Sequence, residues 1–500
     1  MLASVLSATL HGIVGQIVRV EVHVANGLPA YSIVGLPDAA GRESKDRVRA
    51  AMVSSRIEWP LRRITVNLAP GGVRKSGAGL ELAVALGLML AGGALPDGLL
   101  DGVGVLGELG LDGRIRPVPG ALALVDALVH DGAHTVIVPH ADAAEASLIP
   151  GVRIRAARSL GEVRACLGGE DPWPPLPDAP PEPDTGAGVD PEPDLGEVRG
   201  MGSARTALRA AAAGGHHLLM SGPPGAGKTM LARRRPGIMA PLDPDEALEV
   251  TRIRSAVGLG TAGRLATHRP FRAPHHTATT QALVGGGSGR PRPGEVTLAS
   301  RGALFLDELG EFAPQALDAL RQPLEERVVR ISRQAAAIEF PAAFTLIACT
   351  NPCPCGRDPS RCTCSDVARE RYRRRLSSPL LDRFDLRLAL RPPAEVEEPG
   401  ESSSTERARV VAAVARQRAR YEGRPWSRNA HVPAGALAEM IHLDDDARLA
   451  WRDTVRATSL TGRGAAALQR TARTLADLDD RAVITADDVL LAAELRQEVP

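Results

Sequence analysis

Between Ser221 and Thr229 the sequence runs Gly222-Pro223-Pro224-Gly225-Ala226-Gly227-Lys228-Thr229. The spacing satisfies G-x-x-x-x-G-K-[ST], a loop that cradles nucleotide phosphates. Its glycines let the backbone turn tightly, so that several N–H groups face one anion, and the helix that follows adds its partial positive charge. Lys228 is spaced to reach β- and γ-phosphates, and the Thr229 hydroxyl to bind Mg²⁺. The chain holds 60 Lys and Arg together, yet its lysines are Lys45, Lys75 and Lys228 alone. Where charge alone matters this sequence uses arginine; a lysine here fits a site that needs a compact ammonium. The alternative is a glycine-rich turn with no ligand.

A second acidic signature follows at Ala303-Leu304-Phe305-Leu306-Asp307-Glu308-Leu309. At the end of an apolar strand Asp307 can hold Mg²⁺ and Glu308 can polarise an attacking water, the division of labour that ATP hydrolysis needs. A buried strand followed by a surface acidic pair is the plainer reading. Phe344-Thr345-Leu346-Ile347-Ala348-Cys349 ends in Thr350-Asn351. Asn351 can orient the same water, or simply close a turn. Cys353-Pro354-Cys355 and Cys362-Thr363-Cys364 form two C-x-C pairs. Four such thiolates suit tetrahedral Zn²⁺, and reduced thiols without metal are the alternative.

The elements that must position these residues are short. Leu218-Leu219-Met220 reads as a buried strand entering the loop, and Thr229 to Arg234 as the helix leaving it. Five hundred residues allow about three domains. Hydrophobic residues make up 44% and aromatics 3%, so the cores must be built from Leu, Val, Ala and Ile. A net charge of +1 makes any basic surface local. The start, Met1 to Val5, lacks the positive region of a secretion signal. Leu80 to Leu95 carries Glu81, Gly87, Gly92 and Gly93, so a core helix is expected there rather than a membrane span. A cytoplasmic location is expected, with cysteines as metal ligands or buried thiols rather than disulfides.

In chain order, residues 1–168 read as a compact α+β domain. Ile17 to Val24 and Arg63 to Leu68 alternate as strands, Leu80 to Leu90 is a buried helix, and Val103 to Leu109 and Thr135 to Pro139 are further strands. Residues 169–196 are a Pro-rich, acidic linker, opening with Asp171-Pro172-Trp173 and expected to be extended. Residues 197–392 carry the nucleotide motifs on an α/β core with a parallel sheet. Residues 393–500 are helical, with a capping box expected at Ser403-Ser404-Thr405-Glu406, a helix over Ala465 to Leu478, and a last helix opened by Thr485 with Asp487 and Asp488 in its first turn.

Several stretches carry a resemblance. Gly27-Leu28-Pro29, Val34-Gly35-Leu36-Pro37-Asp38, Asn67-Leu68-Ala69-Pro70 and Gly107-Glu108-Leu109 resemble the Lon-protease-like domain that opens ComM/YifB (magnesium-chelatase-like) proteins. Lon proteases use a Ser–Lys dyad; alignment places Gly77 at the serine and Leu122 at the lysine, and neither is a nucleophile or a base. Ser76 and Lys75 are near, but neighbours on an extended chain face opposite ways. The resemblance therefore implies a scaffold. In the core, Gly214-Gly215-His216, Arg269 to Thr277, Gly285-Gly286-Gly287, Pro291 to Glu295, Arg321 to Glu325 and Leu380 to Asp385 resemble AAA+ ATPases of the same family. Met201 and Arg235 depart from the family's pattern, at positions expected to lie away from the ATP chemistry.

The resemblance implies a ring, expected to be a hexamer, with nucleotide between subunits. Arg383 would be the arginine finger supplied in trans, or an ion-pair partner of Asp382 or Asp385. Arg463 would be a second-sensor arginine on a helical lid, or a solvated arginine. ComM-like proteins are DNA helicases that drive branch migration in recombination and natural transformation, which implies single-stranded or branched DNA as partner, ATP and Mg²⁺ as cofactors and no membrane. Arg269, Arg272, His275, His276, Arg290 and Arg292, with Arg330 and Arg333 flanking a hairpin strand, are candidate phosphate contacts or parts of a structural insert. Arg369 to Arg375 is a basic helix suited to a subunit interface. A magnesium-chelatase-like subunit remodelling a protein partner is the second reading, and the Lon-like domain is expected to argue against it. An ATP-dependent protease is the third.

Overall fold

The computed structural model describes residues 1–35, 39–71, 75, 78–177, 193–261, 263–287, 291–333, 336–357, 362–391 and 399–497. Two compact units emerge. The first takes Met1–Thr185, Pro244–Ala266 and Arg330–Phe340; the second takes Gly186–Asp243, Thr267–Val329 and Pro341–Pro500.

The first unit is built on a mixed seven-stranded sheet: β1 (Leu2–His11), β2 (Val14–Ala25), β3 (Ala30–Val34), β4 (Arg63–Ala69), β5 (Val103–Val105), β6 (Thr135–Pro139) and β7 (Arg153–Ala157), in the order β3-β4-β2-β1-β5-β6-β7. Alternation dictates the faces. Val18, Val20, Val22 and Val24 of β2 point inward, as do Ile64, Val66 and Leu68 of β4. Helix Glu81–Ala91 is buried along its whole length. Its one charge, Glu81, accepts from Arg47 Nε at 2.6 Å and from the Leu109 N–H at 2.9 Å. The single strand expected over Val103 to Leu109 breaks into β5 and a two-residue piece, Glu108–Leu109, paired with Ile115–Arg116. Gly107 is why: its N–H and carbonyl are spent on Gly79 and Leu82 at the helix start, and a Cβ there would come within 2.8 Å of Ile115.

Two excursions from the 197–392 segment pack within this first unit. Helix Pro244–Ala256 places Arg252 2.8 Å from Asp126 on helix Ala121–His130, and Arg330–Phe340 brings Ile338 against Gly12. Leu122 is fully buried, its N–H held by Glu145 at 2.9 Å. Gly77 and Ser76 lie outside the described residues. Of the linker, residues 178–192 are likewise outside them. Its described ends are packed rather than extended: Trp173 lies under the Arg155 guanidinium, and Leu195 is fully buried in the second unit.

The second unit holds a five-stranded sheet with every neighbouring pair parallel: β8 (Leu218–Ser221), β9 (Phe271–Arg272), β10 (Ala303–Leu306), β11 (Thr345–Thr350) and β12 (Leu386–Ala389), ordered β9-β10-β11-β8-β12. β8, β10 and β11 are buried throughout, as a parallel sheet covered on both faces requires. Helices Gly202–Gly214, Lys228–Ile238, Ser403–Arg420, Gly462–Leu478 and Ala486–Glu494 share one apolar core with it. The capping box expected at Ser403 is displaced. Ser402 caps the helix, the Ser403 hydroxyl accepts the Leu195 N–H, and Glu406 is buried against Arg209 at 3.0 Å. A capping box does form at Thr485 with Asp488.

Candidate nucleotide site

Parallel strands converge their carboxyl ends, and ligands bind where the strand order reverses. Here β8 ends at the loop 222–227, β10 at Asp307-Glu308, and β11 at Thr350-Asn351. These three ends line one cleft of about 350 Å³, bounded by residues 224–230, Asp307, Glu308, Thr350 and Asn351. Gly225 and Gly227 stand at φ +79° and +80°, where a Cβ is strained, and the loop runs straight into helix Lys228–Ile238. The first N–H groups of that helix have no intrahelical partner, so they are available to an anion in the cleft.

Lys228 lies folded onto the loop, its Nζ donating to the Gly222 carbonyl at 2.5 Å, the Pro223 carbonyl at 3.1 Å and Asn351 Oδ1 at 3.1 Å. Burial lowers its affinity for a proton, and the neighbouring Cys349, Asp307 and Glu308 work the other way. Thr229 Oγ1 donates to Asp307 Oδ2 at 2.8 Å. A hydroxyl and a carboxylate oxygen at that separation are the hard donors that Mg²⁺ takes, so these residues fit the ion. Glu308 faces the cleft from a left-handed backbone at φ +52°.

Arg383 and Arg463 do not line this cleft. Both converge on Glu325, Arg383 Nη2 at 2.7 Å from its Oε1 and Arg463 bonded to the same oxygen. Burial works to raise the Glu325 carboxyl, but the Arg463 hydrogen bond and the charges of both arginines hold it below its ordinary range. The ion pairs foreseen for Arg383 go elsewhere: Asp382 meets Arg387 at 3.4 Å and Asp385 meets His216 at 3.2 Å.

Cys353, Cys355, Cys362 and Cys364 come together, with all four sulfurs within 4.8 Å of one another. Several of the arginines offered as phosphate contacts are committed to the protein. Arg269 donates to the carbonyls of Ala240 and Arg301 at 2.6 Å and of Pro241 at 3.0 Å; Arg272 forks onto Glu295 at 2.6 and 2.9 Å; Arg330 meets Glu339 at 2.7 Å. Arg292 is exposed, Arg290 lies outside the described residues, and so does the Arg333 side chain. The basic helix expected over Arg369 to Arg375 ends at Arg373; just past it Arg374 pairs with Glu370 at 2.8 Å and Arg375 with Glu311 at 3.1 Å.

Three residues were missed as site components. His276 approaches Glu308 at 3.3 Å. Tyr372, on helix Asp366–Arg373, ties its hydroxyl to Thr350 at 3.2 Å. Met201 was expected away from the chemistry, yet its sulfur lies 3.4 Å from where a Gly227 Cβ would stand. Only His276 had a sequence signal, its place in the Arg269 to Thr277 stretch. The other two are joined to the site by folding alone.

Comparison with known proteins agrees with this architecture. Family models for the magnesium chelatase subunit ChlI match residues 20–142 and 194–398, and one for its C-terminal part matches residues 400–496. A model of that description over residues 20–142 means that the first segment does not by itself separate the chain from chelatase subunits. A protein of Mycobacterium tuberculosis is 42% identical over 504 residues, covering 99% of this chain and 99% of the relative. YifB of Escherichia coli is 38% identical over 487 residues, 96% of this chain and 94% of that one. The competence protein ComM of Haemophilus influenzae is 37% identical over 482 residues, 95% and 94%. Lon protease 2 of Bacillus subtilis is 27% identical over 166 residues, 30% of each chain, a minor likeness. Among the described residues no helix is long and apolar enough to cross a membrane. With near full-length identity of this order and a parallel sheet presenting the nucleotide motifs at its carboxyl edge, the chain belongs to the ComM/YifB family of magnesium-chelatase-like AAA+ ATPases.

Proposed function

We propose that this chain hydrolyses ATP in a homohexameric ring and uses the cycle to move single-stranded or branched DNA, as a branch-migration helicase of recombination or natural transformation. The observation that carries the reading is the convergence of Lys228, Thr229, Asp307, Glu308 and Asn351 on one cleft at the carboxyl edge of a parallel sheet. Residues 222–229 bind the phosphates, with Lys228 leaving the loop carbonyls for the γ-phosphate. Thr229 and Asp307 would hold Mg²⁺, which would supply neutralisation of the phosphate charge. Glu308 accepts a proton from the attacking water, and Asn351 orients that water. Arg383 and Arg463, sharing Glu325, form one cationic patch for the neighbouring subunit's phosphate. Their separation from this chain's own cleft supports action in trans. Residues 1–168 serve as a Lon-like scaffold without a dyad, 169–196 as a connector, 197–392 as the ATPase core and 393–500 as the lid. The DNA assignment rests on the likeness to ComM.

Strand displacement from fluorescently labelled three- and four-way junctions tests it. Displacement requiring ATP and absent in Glu308→Gln is expected; ATP turnover that never separates strands would remove the helicase assignment. A second reading, ATP-driven remodelling of a protein partner, is favoured by the chelatase descriptions of all three matching family models. Turnover stimulated by a captured protein and indifferent to DNA would establish it instead.

A further inference from the structure

The loop between β11 and helix Asp366–Arg373 begins at Asn351 and has almost nothing to hold it. Among its described residues, 351–357 and 362–365, only Cys353 and Gly356 are buried. A segment with so little core needs a cross-link to keep one shape. The four cysteines stand where such a link would be. Cys353 Sγ is 3.3 Å from Cys355 and 3.5 Å from Cys362, and Cys355 is 3.8 Å from Cys362. A Zn²⁺ ion with sulfurs at about 2.3 Å in a tetrahedron has sulfur–sulfur edges of about 3.8 Å. The observed separations lie close to that edge and well above the roughly 2.05 Å of a disulfide. The Gly356 N–H returns to the Cys353 carbonyl at 3.0 Å, and the N–H groups of Arg357 and Thr363 are directed at the Cys355 sulfur, the supporting shell that thiolate ligands need.

This knot touches the nucleotide site at three places. A Cβ on Gly356 would lie 3.2 Å from the Pro224 ring, so the loop backbone rests on the phosphate-binding loop. Asn351, the loop's first residue, holds Lys228 at 3.1 Å. Tyr372, just beyond its far end, holds Thr350 at 3.2 Å.

We propose that Cys353, Cys355, Cys362 and Cys364 bind one Zn²⁺ ion whose occupancy fixes Asn351 and Pro224 in the nucleotide cleft. The four thiolates give up their protons on binding and no electron is transferred, so zinc acts as a clip rather than a catalyst. The positioning half rests on the ATPase reading; the metal half does not. Nothing in the proposal is redox chemistry. Loss of the ion frees the loop's start, and a displacement of the order of 1 Å at a water-orienting group costs roughly a hundredfold in turnover.

The test uses the full chain in three steps. Elemental analysis of protein purified without chelating resin should give one zinc per chain, falling to near zero in Cys355→Ser/Cys362→Ser. Cobalt substituted for zinc should show the charge-transfer and d–d bands of tetrahedral tetrathiolate coordination. Zinc stripped with a chelator should lower kcat at least tenfold with nucleotide affinity retained, and zinc added back should restore it. In Asn351→Ala the same stripping should cost far less, because the residue it positions is already gone. Absence of metal, or iron in its place, overturns the zinc site. One zinc with turnover indifferent to its removal overturns the positioning role. A zinc-loaded protein with the cobalt spectrum and no ATPase in any state overturns the ATPase reading and leaves the metal site standing.

Discussion

Glu308 is held in a backbone region that costs a non-glycine residue about 1–2 kcal/mol, and such strain persists where the surroundings fix it. Here its own N–H donates to Asp307 Oδ1 at 3.0 Å, and His276 stands 3.3 Å from its carboxylate. The side chain is thereby turned into the cleft beside Thr229 and Asp307. Glu308→Gln keeps the shape and removes the proposed base, so turnover should fall by about 10²–10⁴-fold while a fluorescent ATP analogue still binds. Equal loss of binding would show the residue to be structural. Arg235 poses the opposite case. It is 1% exposed, offers Nη1 to Met239 Sδ at 3.1 Å and Nη2 to the Ala211 carbonyl at 3.5 Å, and leaves Nε without a partner. Burial depresses its affinity for a proton, and no carboxylate lies in ion-pair range of it among the described residues. A charge in that setting costs more than its contacts return. Arg235→Met should therefore raise the melting temperature; a clear drop in thermal unfolding would contradict this account of the site.

At the scale of elements, packing rather than propensity decides several features. Asp142 closes a short turn in the first unit, its Oδ2 accepting the Val118 N–H at 2.8 Å. Burial first, and the nearby Glu145 charge after it, push its carboxyl up to about 7 against the backbone bond that lowers it. The folded state thus keeps this proton to about pH 7 while the unfolded state releases it near pH 4. Between those limits the unfolded chain binds fewer protons, so stability must fall as pH rises. Asp142→Asn retains the acceptor and removes the titration. Denaturant melts at pH 5 and pH 8 should show wild type losing stability relative to the variant, and parallel pH profiles would refute the shift. Much of the element pattern was legible in the sequence: period-two alternation marked β2 and β4, and the end of each motif strand marked the cleft. What escaped is non-local. The Ser402 cap wins over Ser403 because Leu195, some two hundred residues earlier, takes the Ser403 hydroxyl. Gly107 ends a strand because helix Glu81–Ala91 starts beside it. The Pro244–Ala256 helix joins the first unit through Arg252 and Asp126, a pairing no local pattern encodes.

For the whole molecule, the joint attachment of Arg383 and Arg463 to Glu325 places two guanidinium groups on one patch away from the chain's own cleft, the arrangement expected where a second copy completes the site. Lys228→Ala and Arg383→Ala should each be inactive alone. Mixed in equal amounts they should recover about one quarter of wild-type turnover, since that share of randomly formed interfaces joins an intact loop to an intact arginine. No recovery on mixing would mean that Arg383 serves its own subunit or only the fold. The proposed ring, DNA movement and chemistry all rest on the proposed hydrolysis of ATP in the cleft. The most direct measurement is the steady-state ATPase rate of the full chain, with and without single-stranded and branched DNA, beside Lys228→Ala. The account predicts turnover that DNA stimulates and that Lys228→Ala abolishes. Turnover unaffected by Lys228→Ala would contradict the assignment of the site, and turnover indifferent to every DNA would contradict the motor.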